Sequence, residues 1–101
     1  MARCRIRPAA DADLDNHARH IAEDNLEAAL RFYDQARQTF DDLAAMPRMG
    51  IPYPSDEPRL TGLRFFPIET FPNHLVFYRA SADGIEVIRT LHSRMDKLRH
   101  L

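Results

Sequence analysis

Residues 63–92 read LRFFPIETFPNHLVFYRASADGIEVIRTLH, and this stretch decides the fold. Three runs rich in aromatic and β-branched residues follow one another: Leu63 to Ile68, His74 to Ala80 and Ile85 to Leu91. Such runs are strands when turn residues bound them. Thr70 to Asn73 and Ser81 to Gly84 supply the turns, and Asp83-Gly84 is a hairpin signal. Pro67 has no N–H to donate, which puts the first run at an edge or a bulge. Strands joined by such short connections form an antiparallel meander.

Upstream the period changes from two to nearly four. Leu14, Ala18, Ile21 and Ala22 form one stripe, predicting an amphipathic helix over Asp11 to Asp24. Asp11, Asp13 and Asp15 crowd its first turns, where the helix dipole favours negative charge. Asn25 reads as a break and a new N-cap. A second helix runs from about Leu26 to Met46, with Ala29, Phe32, Tyr33, Ala36, Phe40, Leu43 and Ala44 as its stripe, and Pro47 stops it. Helices joined this tightly fold back as a helical hairpin. Residues 3–7 alternate, with Cys4 and Ile6 on one face and three Arg on the other, which is a half-buried strand ended by Pro8. Residues 47–62 hold Pro47, Gly50, Pro52, Pro54, Pro58 and Gly62 and read as loop. Arg94 to Leu101 has room for one helical turn. The order β-α-α-β-β-β gives a single α+β domain over residues 1–101, a helical hairpin packed on a small antiparallel sheet.

Composition narrows the function classes. The chain has 101 residues, with 45% hydrophobic and 29% charged, the profile of one globular domain. No apolar run is long enough to span a membrane. The segment from Met1 to Arg5 lacks the apolar stretch of a signal peptide, so a cytoplasmic location is expected. Cys4 is the only cysteine, which rules out an intrachain disulfide. The net charge is −1, against a nonspecific nucleic-acid surface. His17 and His20 have a spacing that can share a metal. Neither a third ligand nor a phosphate-binding glycine loop is visible, and no metal or cofactor is expected.

Several segments together resemble the ParE toxins of the RelE/ParE superfamily. They are Ala10-x-x-Asp13-Leu14, Ile21 to Asn25 and Glu27 to Phe32; Leu43 to Gly50; Leu63-Arg64 with Phe66-Pro67 and Phe71 to Arg79; and Asp83 to Arg89 with Leu91 to Asp96. The family often has Pro at the position of Leu26, and Gly-Ala where Ser93 stands. The ordered set covers nearly the whole chain. It implies the same element order, a toxin that inhibits DNA gyrase by binding, and neutralisation by a ParD-like antitoxin in a hetero-oligomer. DNA would be met only through the antitoxin. The toxicity of the family is associated with its C-terminal region, which makes Arg89, His92 and Arg94 the candidate target-binding residues. A degenerate member that only binds its antitoxin is a further possibility.

Two surfaces follow as expectations. Leu26, Leu30, Phe40 and Met46 spread more widely than one sheet-facing stripe requires. With the acidic Asp34 and Asp41 they are the candidate antitoxin-binding residues, on an apolar groove of the hairpin. The enzymatic alternative comes from the related RelE branch, which cleaves mRNA on the ribosome. That chemistry needs an acid or base and cations for the phosphorane charge, and His92, Arg64, Arg79 and Arg89 are the groups available. Against it, Lys97 is the only lysine, whereas the RelE-type pattern is Lys-rich. In a purely structural role, Arg89 and His92 brace the C-terminal turn, with Asp96 as partner.

Overall fold

The computed structural model describes residues 2–101. Two helices pack on one face of a five-stranded sheet. In chain order the elements are β1 (Arg3–Ile6), α1 (Pro8–Asp24), α2 (Leu26–Ala45), β2 (Ile51–Pro52), β3 (Leu63–Ile68), β4 (Phe71–Ser81), β5 (Gly84–His92) and α3 (Lys97–His100), with a 3-10 turn at Pro58–Leu60. The strands lie in the order β1-β5-β4-β3-β2.

The meander forms as expected, but the sheet is mixed. β1 runs parallel to β5, pairing Cys4 with Ile85 and Ile6 with Val87. Alternation marks a strand without giving its direction. A parallel neighbour becomes possible because the hairpin and the meander form a long crossover between the two. A second correction concerns the proline-rich stretch. Ile51 and Pro52 pair with Phe65 and Arg64 as a two-residue edge strand, a place where proline is tolerated.

Proline also resets the first helix. Pro8 ends β1 and occupies the first turn of α1, which starts three residues earlier than the apolar stripe indicates. Its missing N–H is one of the helix's unpaired donors in any case, and its φ is already helical. Asn25 caps α2 as anticipated, its side chain accepting the Ala28 N–H at 3.0 Å. The β3–β4 turn is tighter than expected. It centres on Glu69 and Thr70, with Thr70 at φ 63°, and Phe71 to Asn73 belong to β4.

The helix stripes meet the sheet in the main core. Leu14, Ala18, Ala29, Phe32, Ala36, Phe40, Leu43 and Ala44 pack against Ile68, Val76, Tyr78, Ile85 and Val87. A smaller cluster covers the opposite face: Leu60, Leu63, Phe77, Ile88 and Leu91, flanked by Tyr53, Phe65, Leu75, Met95 and Leu101. The extended loop and the C-terminal segment thus serve as the lid of the second face. Phe65 and Phe77 stack there at 5.8 Å between ring centroids.

Tyr78 ties the loop to the main core. Its side chain is fully buried, and its hydroxyl donates to the Pro47 carbonyl at 2.7 Å while accepting the Gly50 N–H at 2.8 Å. A Cβ at Gly50 would collide with the same phenol ring, which explains the glycine. Tyr78→Phe strands a buried donor and a buried acceptor together. It is expected to lower unfolding stability by about 1–3 kcal/mol, read as a shift in urea midpoint at constant slope. Tyr33→Phe, on an exposed ring, should move the midpoint much less.

Candidate functional site

The candidate residues of the C-terminal region rest on a buried ion pair. Asp13, on α1, faces the middle of β5. Its carboxylate accepts from Arg89 Nε at 2.7 Å and Nη2 at 2.8 Å, and from the Thr90 N–H at 3.1 Å. The two side chains are only 10% and 21% exposed. The third nitrogen, Arg89 Nη1, donates to the His100 carbonyl at 2.8 Å. The hydrogen bonds that Arg89 donates to Asp13 push the guanidinium pKa above its ordinary value. Arg89 therefore braces the C-terminal turn as the structural reading anticipated, but its acid is Asp13 and not Asp96. Sequence reading had assigned Asp13 to the helix dipole. Its place on the buried stripe, one residue before Leu14, was the available signal.

The other arginines of the enzymatic alternative are also committed. Arg64 donates to the Gly50 carbonyl at 2.7 Å. Arg79 donates to the Thr61 carbonyl at 3.1 Å and to that of Arg59. His92 Nδ1 accepts the Arg94 N–H at 3.1 Å, and Arg94 itself is exposed. Arg64 lies on β3, two strands from β5. Arg79 pairs across to Glu86, and His92 to His74, at separate points along β5. These four groups do not converge on one reacting centre.

The antitoxin candidates divide into two patches and a core residue. Leu26 is 67% exposed and Leu30 59%; with Tyr33, Ala18, Ala22 and Ala29 they line a shallow groove between α1 and α2. The Tyr33 hydroxyl, on that groove, donates to Asp15 at 2.6 Å. Met46 is 63% exposed at the far end of α2, roughly 30 Å along a helix of this length. It lines a second apolar patch with Pro47 and Met49; the periodicity did not single out Met49. Asp34 and Asp41 are exposed. Phe40 requires correction: it is buried to 3% in the main core and forms part of the floor of a hollow beside Cys4, Arg37 and Asp41. It lies four residues after Ala36 and eight after Phe32, on the sheet-facing stripe of α2.

The histidines depart most from expectation. His17 is half-buried, with Nε2 2.8 Å from the Thr90 carbonyl. A carbonyl only accepts, so this nitrogen carries the hydrogen. The His17 and His74 ring centroids are 4.8 Å apart, and those of His74 and His92 5.1 Å. Phe32 and Phe71 pack edge-on against the same group. Burial, then the neighbouring His17 and His92, lower the His74 pKa to about 4. His92 is lowered by burial and then Arg94. Among the described residues no group of three or more His, Cys, Asp or Glu side chains is arranged to hold a metal ion. Burial and Asp41 raise the Cys4 thiol to about 11, which keeps it protonated near neutrality.

Residues 4–97 match the family model described as "ParE toxin of type II toxin-antitoxin system, parDE". No curated protein sequence matches the chain. Among solved structures, a chain from "Chromosomal ParDE TA system from P. aeruginosa" is similar, with a TM-score of 0.71 and 22% identity. That likeness covers 91% of this chain and 96% of the other, and at this identity it shows a shared fold.

Acid is expected to destabilise the protein through His74. Its folded pKa lies below the unfolded value of about 6.5, so the unfolded chain binds the extra proton. The contribution is complete above pH 6.5 and is lost as pH falls through the folded value near 4. Urea midpoints at pH 7.5 and 4.5 test this: His74→Phe should show a clearly smaller drop than the parent chain. Equal drops in both would remove His74 as the cause.

Proposed function

The chain belongs to the ParE toxin family of type II toxin–antitoxin systems, and from that premise we propose that it is a toxin acting on DNA gyrase by direct binding, held inactive by a ParD-like antitoxin. The single observation that carries the reading is the family match over residues 4–97. The exposed Leu26–Leu30 groove on the hairpin supports an antitoxin contact. A partner helix laying its apolar face there would bury surface that α1 and α2 leave open, and Asp34 could select a basic residue beside it. The net charge of −1 accords with contact to DNA through the antitoxin only.

Binding rather than catalysis is supported by the fate of the arginines. A ribonuclease needs cations free to meet developing phosphorane charge. Arg64, Arg79 and Arg89 spend their donors on carbonyls and on Asp13. Of the proposed target surface, His92 and Arg94 present side chains to a partner, while Arg89 supports them from below. No described helix is long and apolar enough to cross a membrane.

Purified gyrase tests the reading. The protein should block supercoiling, the antitoxin should relieve the block, and ribosome-bound mRNA should stay intact. Cut mRNA with unaffected gyrase would transfer the chain to the enzymatic branch. Leu30→Glu should weaken antitoxin binding by about tenfold or more, the scale of a buried interface anchor, while leaving gyrase inhibition near the parent level. Arg94→Ala should do the reverse.

A further inference from the structure

All the histidines except His100 gather around one place. His17 and His20 from α1, His74 from β4 and His92 from β5 line a hollow of about 600 Å³, with Arg19, Glu23 and Met95 at its walls. The His74 ring lines the hollow, and its Nδ1 is buried without a hydrogen-bond partner. A buried polar atom left unpaired costs free energy that a ligand can return.

The charged surroundings are lopsided. From α1 come Arg19, which also donates to Asn16 at 3.1 Å, and Glu23, which stands 3.9 Å from His20 with both groups largely exposed. From the C-terminal segment Arg94 and Lys97 act on His92. α2 contributes the uncharged Phe32 against His74. Among the described residues lining the hollow, Glu23 is the one acid; it stands at the solvent rim, already beside an imidazole.

We propose that this hollow binds an acidic side chain presented by a protein partner. The ligand is a carboxylate on a short apolar stem. The stem crosses Met95 and the ring faces, and the carboxylate meets imidazole nitrogens near His74 and the guanidinium of Arg19. A carboxylate fits better than a neutral amide because the three inner imidazoles repel one another's protons. A negative charge among them offsets that repulsion and lets a ring protonate on binding. Binding therefore takes up a proton and tightens as pH falls. This site adjoins the Leu26–Leu30 groove at Arg19, which lines both, and it does not depend on gyrase being the target.

The test uses the full chain, isotope-labelled, with hexaglutamate as the probe and the histidine ring resonances as the readout. At pH 5.5 the His74 and His92 signals should shift and saturate, and affinity should fall about tenfold or more by pH 7.5, as uptake of one proton allows. His74→Phe and His92→Gln should each weaken binding about tenfold, and His100→Gln should not. The proposal is overturned if no ring signal moves at either pH, or if both hollow variants bind as the parent does. Equal competition by inorganic phosphate would also overturn it, reducing the site to general anion attraction. Should His74→Phe fail to fold, the parent resonances and His92→Gln decide.

Discussion

The Asp13–Arg89 pair holds three otherwise separate parts of this molecule in one geometry. One end of the pair stands on α1, the other on β5, and the spare nitrogen of Arg89 holds the His100 carbonyl. Such pairs contribute less net stability than their geometry implies, because desolvation offsets much of the attraction. Losing one partner is another matter, since the survivor is left as a buried charge, at a cost of about 3–5 kcal/mol. The pair therefore acts chiefly on arrangement. Thr90, next in chain, adds its N–H to Asp13 and its hydroxyl to the Ala10 carbonyl. These contacts fix how far α1 slides along β5, and hence where the C-terminal turn closes over the second sheet face.

Around that anchor the two sides of the molecule differ in kind. The sheet-facing surfaces of α1 and α2 are packed and dry. Their outer surfaces retain Leu26, Leu30 and Met46 in solvent. Leu26 and Leu30 share one shallow groove, and Met46 lies in another patch. The reverse face of the sheet is covered by loop and C-terminal segments, of which Leu60 is buried while Tyr53, Met95 and Leu101 are only partly so.

The fold was legible because its signals are local. Period two, period 3.6, Asn25 as a cap and Asp83-Gly84 as a turn each specify an element without reference to distant residues. What stayed hidden was long-range pairing. The parallel direction of β1, the pairing of Ile51 with Phe65, the Asp13 partner of Arg89 and the meeting of His17 with His74 all join residues far apart in sequence. Pro8 was seen only as a strand terminator, although the same residue suits a helix start. For the surfaces, Leu26, Leu30 and Met46 were readable as excess apolar positions, whereas Phe40 shared that pattern and went to the core. Arg64, Arg79 and Arg89 looked alike in sequence and differ only in what receives their hydrogen bonds.

The parallel edge strand has a consequence for how the chain reaches its final form. β1 finds its neighbour in residues 84–87, so this strand waits for one far along the chain. The hairpin of helices and the meander are local and form early. The closure joining them carries the entropy of a loop of nearly the whole domain, and contacts of such high sequence separation slow folding. A chain still emerging from the ribosome has α1 and α2 but no β5 to receive Asp13. Its apolar helix surfaces are then open on both sides. Arrival of β5 is thus the event that closes the sheet on β1 and gives Asp13 its partner.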